Sequence, residues 1–161
     1  VVAFGTGGVQ HSSNVRATEV ATAAALRAGY RHFDTAHEYF NQAAISWALQ
    51  GIERGEFFIT TKVPGCGLPS KQNDLRFPYI ETSSCRSDTL TIVKDNLLQL
   101  RLSYVDLLLL HSPPFSFTAA CDTTCGLIQV QWKVLEEVYL MNWTRAIGVS
   151  NFDCPRCMEC V

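Results

Sequence analysis

Charge is scarce in this chain. Only 17% of its residues are Asp, Glu, Lys or Arg, and the balance of 13 basic against 15 acidic residues leaves a formal net charge of -2. There is no basic face to grip a phosphate backbone and no acidic tail, which argues against a nucleic-acid partner. Long apolar runs are missing too: none exceeds four residues, and Leu107 to Leu110, one of that length, suits one buried strand and falls far short of the ~20 residues of a membrane span. Gly5-x-Gly7-Gly8 lacks the full glycine spacing and the following acidic residue of a dinucleotide-binding turn. No internal repeat is visible beyond an alternation of apolar runs and helix-like segments.

That alternation is informative. The runs Tyr30–Asp34, Phe57–Lys62, Val105–His111 and Ala146–Val149 each close on or beside polar residues, namely Asp34, Lys62, His111 and the pair Ser150-Asn151. Val1 to Phe4 reads as the tail of an earlier strand. Between the runs, helical spacing predicts helices over about Arg16–Ala28, Gln42–Glu53, Ser87–Leu102 and Leu127–Asn142, with Leu90, Val93, Leu97, Leu98 and Leu100 as the sheet-facing stripe of the third. Gly29 stands where a helix C-terminal glycine belongs. Strand, helix, strand with chemistry at each strand's C-terminal end is how an α/β barrel or doubly wound sheet builds a site. Pro64–Arg86 and Pro113–Gly126 read as loops over that same end.

Taken singly, these residues are bland. A histidine after four leucines reads as a capping or core residue, and a lysine ending a strand as a solvated edge residue. Their shared position at one end of successive strands is what suggests chemistry.

Seven cysteines are present, three of them as Cys154-x2-Cys157-x2-Cys160, with Cys121 and Cys125 upstream. A structural zinc site needs four ligands brought close. Asp153 can cap a helix that opens at Pro155, so the expectation is thiols packed in or near an ordinary helix, with no metal.

GYRHFDTAHEYFNQAAISWAL, FITTKV, YVDLLLLHSPP and IGVSNF, in that order, resemble the aldo-keto reductases over nearly the whole chain. The resemblance implies a (β/α)8 TIM barrel and reduction of aldehydes or ketones by hydride transfer from NADPH, with NADH an alternative. It implies Tyr39 as general acid, Lys62 stabilising its phenolate form, Asp34 pairing with Lys62, and His111 donating to the substrate carbonyl. Gly5, Thr6, Asp34, Ser150 and Asn151 would line the cofactor, with Ser150 and Asn151 on the nicotinamide carboxamide. A small carbonyl compound is the expected partner, and a cytoplasmic location goes with the family.

Such barrels run to about 250 residues, whereas this chain has 161. The expectation is therefore one partial barrel domain over 1–161, covering about the first five βα units and truncated at both ends. By itself it should neither close nor turn over substrate, leaving Phe57, Ile59, Leu107, Leu109 and Ile147 only partly covered.

Departures from the family pattern bear on the pocket. Gln42 stands where a glutamate is common, Gly7 where many members have an aromatic after Gly-Thr, and Ser112 where several have Trp, which points to a roomier or more polar site. A non-catalytic scaffold or regulatory subunit retaining partial nucleotide binding is the alternative reading, and the intact Asp34, Tyr39, Lys62, His111 set weighs against it.

Overall fold

A computed structural model describes residues 2–8, 15–67, 82–114, 125–153 and 155–161. Five strands, β1 (Phe4–Gly5), β2 (His32–Asp34), β3 (Phe58–Val63), β4 (Leu107–Leu110) and β5 (Ile147–Val149), form one parallel sheet in the order of the sequence. Helices α1 (Val15–Arg27), α2 (Gln42–Ala48), α3 (Cys85–Leu100) and α4 (Cys125–Leu140) occupy the crossovers, and α5 (Pro155–Met158) follows β5. Each long helix packs on the next. Sequential parallel order with a helix in each right-handed crossover keeps the helices on one face. These are the first five βα units of a (β/α)8 barrel.

Register settles which side chains face the helices. Phe33 pairs with Ile59, Thr61 with Leu108, Leu108 with Ile147, and Val63 with Leu110. Phe33, Ile59, Val63, Leu108 and Leu110 are all buried, and Ile147 packs against the same cluster. The alternate row, Gly5, Asp34, Thr60 and Leu107, then Lys62, Leu109 and Gly148, faces the other side. Ile59 and Ile147 therefore belong to the covered face, contrary to the expectation of an exposed inner surface. Phe57 is buried as well, and it is Phe58 that stands 40% exposed. With a side-chain period of two, a one-residue error of phase exchanges the faces.

The helices carry a similar correction. On α3 the buried positions are Cys85, Thr89, Ile92, Val93, Asn96 and Leu100, while Leu98 is 75% exposed. Leu98 lies two residues beyond Asn96, half a turn away from the buried stripe. Helix α1 ends as expected, with Gly29 at φ 92° and the bonds Gly29 N–H to Leu26 O and Tyr30 N–H to Ala25 O closing its last turn. The ends of α3 and α4 use the same pattern with Arg101 and Asn142 in the left-handed position.

The five cysteines among the described residues are oxidised. A disulfide joins Cys66, just beyond β3, to Cys85 at the start of α3, and a second joins Cys125 at the start of α4 to Cys160 after α5. Cys157 is disulfide-bonded as well. Free helical thiols are thus not what these positions hold; Cys121 and Cys154 lie outside the described residues. Oxidation was not legible because partners 35 residues apart, as Cys125 and Cys160 are, meet only in the fold. Reducing the bridges is expected to cost about 3 kcal/mol each by freeing the unfolded chain. Urea midpoints with and without reductant, the thiols alkylated afterwards, measure this; an unchanged midpoint would mean the bridges carry no stability.

Candidate active site

The C-terminal ends of the strands bring the predicted residues together. Asp34 ends β2, Lys62 is the penultimate residue of β3, His111 follows β4, Ser150 and Asn151 follow β5, and Gly5 and Thr6 close β1. Tyr39 is reached through a 3-10 turn, His37–Tyr39, that leaves β2 and closes with Phe40 in the left-handed region at φ 53°. Buried Asn41 ties the turn down: its amide donates to Thr6 O and Thr18 Oγ1, and its oxygen accepts from Thr35 Oγ1. Nothing in the sequence reading singled out this asparagine.

Lys62 is 5% exposed. Its ammonium lies 2.5 Å from Asp34 Oδ1 and 2.8 Å from Thr35 O, so the buried charge is both matched and hydrogen-bonded. That is the condition under which a desolvated lysine is tolerable. Tyr39 Oη lies 3.4 Å from His111 Nε2, with the two rings edge-to-face. Lys62 Nζ stands 5.3 Å from the Tyr39 ring centroid.

The electrostatics of Tyr39 differ from the expected direction. Burial, then Asp34, then Glu38 push its phenol above the ordinary value of 10.0. A phenol raised on folding holds its proton more tightly in the native state, so its share of stability is full below about pH 10 and is lost as the pH climbs through the raised value.

At the remaining predicted positions the geometry is polar. Asn151, in the left-handed region at φ 58°, donates its amide to His111 O and to Ser150 Oγ, joining the ends of β4 and β5. Thr6 is fully buried and donates to Asp34 O through both its N–H and its hydroxyl, whereas a side chain added at Gly5 would meet open space.

The three departures noted in the sequence have the following surroundings among the described residues. Gln42 is wholly buried, accepting from Thr61 Oγ1 and donating to Asn96 Oδ1, so the amide closes a neutral network between α2, α3 and β3. Ser112 is buried, and its hydroxyl has no hydrogen-bond partner among the described residues. Gly7 is packed by Tyr39 itself, since a Cβ there would stand 2.8 Å from Tyr39 Cζ. Of the two expected loop walls, residues 68–81 and 115–124 lie outside the described residues. Glu38 is the site residue that sequence reading missed. Its signal was modest: a carboxylate beside Tyr39 in a chain poor in charge.

A parallel β/α sheet with an ion pair, a tyrosine and a histidine at its C-terminal edge is the pattern of a barrel-type α/β domain. The sequence model of the Aldo/keto reductase family matches residues 1–161, and the chain belongs to that family. It is 39% identical over 149 residues to an aldo-keto reductase of Mycolicibacterium vanbaalenii, covering 90% of this chain and 44% of that protein. It is 35% identical over 149 residues to NADPH-dependent codeinone reductase 1-4 of Papaver somniferum, covering 84% and 41%. Among solved structures, the aldo/keto reductase of Brucella melitensis superposes with a TM-score of 0.73 at 30% identity, over 98% of this chain and 51% of that one. The chain thus spans about half the length of the relatives it matches.

Proposed function

We propose that these residues form the proton-transfer half of an NAD(P)H-dependent carbonyl reductase. The observation that carries this reading is the meeting of Tyr39, His111 and the Lys62–Asp34 pair at one strand-end cluster. Carbonyl reduction places two electrons and a hydrogen on carbon and a proton on oxygen. Tyr39 supplies that proton, and His111 Nε2 stands beside the Tyr39 hydroxyl. Lys62 offsets the charge left on Tyr39, with Asp34 holding the ammonium in place.

A nicotinamide carboxamide offers a carbonyl acceptor and an amide donor. Ser150 and Asn151 present both kinds of partner, and the open space beside Gly5 admits a flat ring, so the residues fit such a group. When bound, it supplies the hydride. NADPH is favoured over NADH by the name of the Papaver somniferum relative. The substrate class is a small carbonyl compound.

NADPH oxidation with a panel of aldehydes and ketones, run on the full-length gene product, tests the reading. Nucleotide binding without any carbonyl-dependent oxidation would leave the scaffold alternative. Residues 1–161 by themselves are expected to be inactive, since a five-stranded open sheet leaves its two outer strands unpaired. A cytoplasmic location rests on the family alone. The bridges speak for oxidising surroundings instead, and counting free thiols in protein alkylated at lysis decides between the two.

Gly7→Ala makes a sharper test of geometry. The added methyl has to displace the Tyr39 ring, and a displacement approaching 1 Å at the reacting group costs about 10²-fold in turnover. Steady-state kinetics should show that loss with nucleotide affinity retained. Undiminished kcat would mean that Tyr39 does not need the position seen here.

A further inference from the structure

The Tyr39–His111 contact has a third member. Glu38 Oε2 lies 2.5 Å from His111 Nδ1, while His111 Nε2 faces Tyr39 Oη at 3.4 Å. The line Glu38, His111, Tyr39 thus runs through both ring nitrogens. Glu38 and Tyr39 are neighbours in one 3-10 turn and His111 sits two strands away, so the turn carries both ends of the line and β4 its middle. The side chains of His111 and Glu38 are 14% and 21% exposed, which keeps bulk water from competing freely for the contact.

An ionised carboxylate only accepts hydrogen bonds, so the nitrogen facing it must carry the proton. The bond at one ring nitrogen determines the state of the other. With Nδ1–H held by Glu38, every proton that His111 gains or loses passes through Nε2, the nitrogen facing Tyr39. A singly protonated ring then offers a lone pair to the Tyr39 hydroxyl, whereas a doubly protonated ring offers an N–H and has its charge matched by Glu38.

We propose that Glu38 is a positioning residue that fixes His111 in the Nδ1–H form, making Nε2 the single port for proton exchange with Tyr39. The proposal rests on the reductase reading of the site. In alcohol oxidation the Tyr39 O–H bond breaks and an N–H bond forms at His111 Nε2, the new positive charge facing the Glu38 carboxylate. The phenolate then takes the alcohol proton as the hydride leaves carbon for an oxidised nicotinamide. In carbonyl reduction the steps reverse: Tyr39 protonates the developing alkoxide and recovers a proton from Nε2. Asp34 and Lys62 also flank Tyr39 and match each other, so among the described residues Glu38 is the carboxylate left to balance the imidazolium. Glu38 also disfavours the phenolate directly.

The test uses the full-length gene product with 15N-labelled histidine. Long-range proton–nitrogen correlation spectra of the singly protonated ring should show His111 with its proton on Nδ1 in the wild type and shifted toward Nε2 in Glu38→Leu. Glu38→Gln keeps an acceptor for Nδ1–H but loses the charge. Its kcat for alcohol oxidation should fall at least about tenfold with KM nearly unchanged, within the range acid–base groups contribute, and Glu38→Asp should recover part of the loss. A wild-type ring protonated at Nε2, an identical tautomer in Glu38→Leu, or a Glu38→Gln kcat within about twofold of wild type would each overturn the proposal. Absence of any turnover by the wild type would instead sink the reductase reading, and the tautomer would still decide the role of Glu38.

Discussion

Tyr39→Phe in the full-length gene product is expected to remove most carbonyl reduction, by about 10²–10⁴-fold in kcat, the range associated with losing a general acid. The ring that packs on Gly7 and meets His111 edge-to-face is retained, so the fold and the nucleotide site should be undisturbed. Nucleotide fluorescence titration should give an affinity close to wild type, which separates loss of chemistry from loss of binding. A variant keeping more than half of wild-type turnover, where chemistry limits the rate, would show that the proton comes from elsewhere. Burial, Asp34 and Glu38 hold the phenol in its protonated form at neutral pH.

The second large effect concerns the Asp34–Lys62 pair, and its two halves are unequal. Lys62 has 6% of its side chain exposed and Asp34 33%. Asp34→Asn strands a nearly buried ammonium, with the Thr35 carbonyl as its remaining hydrogen-bond partner among the described residues. The expected cost is about 3 kcal/mol, the low end of what breaking a buried pair costs, because solvent reaches one side. Lys62→Met leaves a carboxylate that water can hydrate, so its stability cost should be smaller. Its kinetic effect should be larger: removing the cation raises the pH at which Tyr39 loses its proton still further, and alcohol oxidation at neutral pH suffers first. Urea denaturation of both variants and a pH-rate profile for oxidation measure the two halves. Equal stability losses would contradict the burial asymmetry, and an unmoved oxidation midpoint in Lys62→Met would take the lysine out of the mechanism.

Much of the fold was legible because it is written in local periodicity. The apolar runs ending at Asp34, Lys62 and His111 gave the strands, and the alanine- and leucine-rich segments between them gave the helices to within a few residues. Parallel βα order then forces each strand's end onto one rim, which is why four residues spread from 34 to 111 read as a cluster from the sequence alone. The phase of each pattern was harder. Ile59 and Ile147 were assigned to the open face and Leu98 to the buried stripe, since an all-apolar run such as Phe57-Phe58-Ile59 carries no alternation to mark its covered side.

What the tertiary structure alone decided are contacts between residues far apart in sequence. Glu38 meets His111 across 73 positions, Gln42 meets Asn96 across 54, and Cys125 meets Cys160 across 35. The direction in which Tyr39 is shifted belongs with them, because it depends on how deeply the packed chain buries the phenol and on the Asp34 and Glu38 carboxylates brought beside it. Residue type and spacing determined which elements form and which rim carries the chemistry, since both follow from backbone geometry and the burial of apolar side chains. Which partner each polar group takes on that rim was left to the packed chain, because a buried hydrogen bond or charge pair depends on distances that no local pattern encodes.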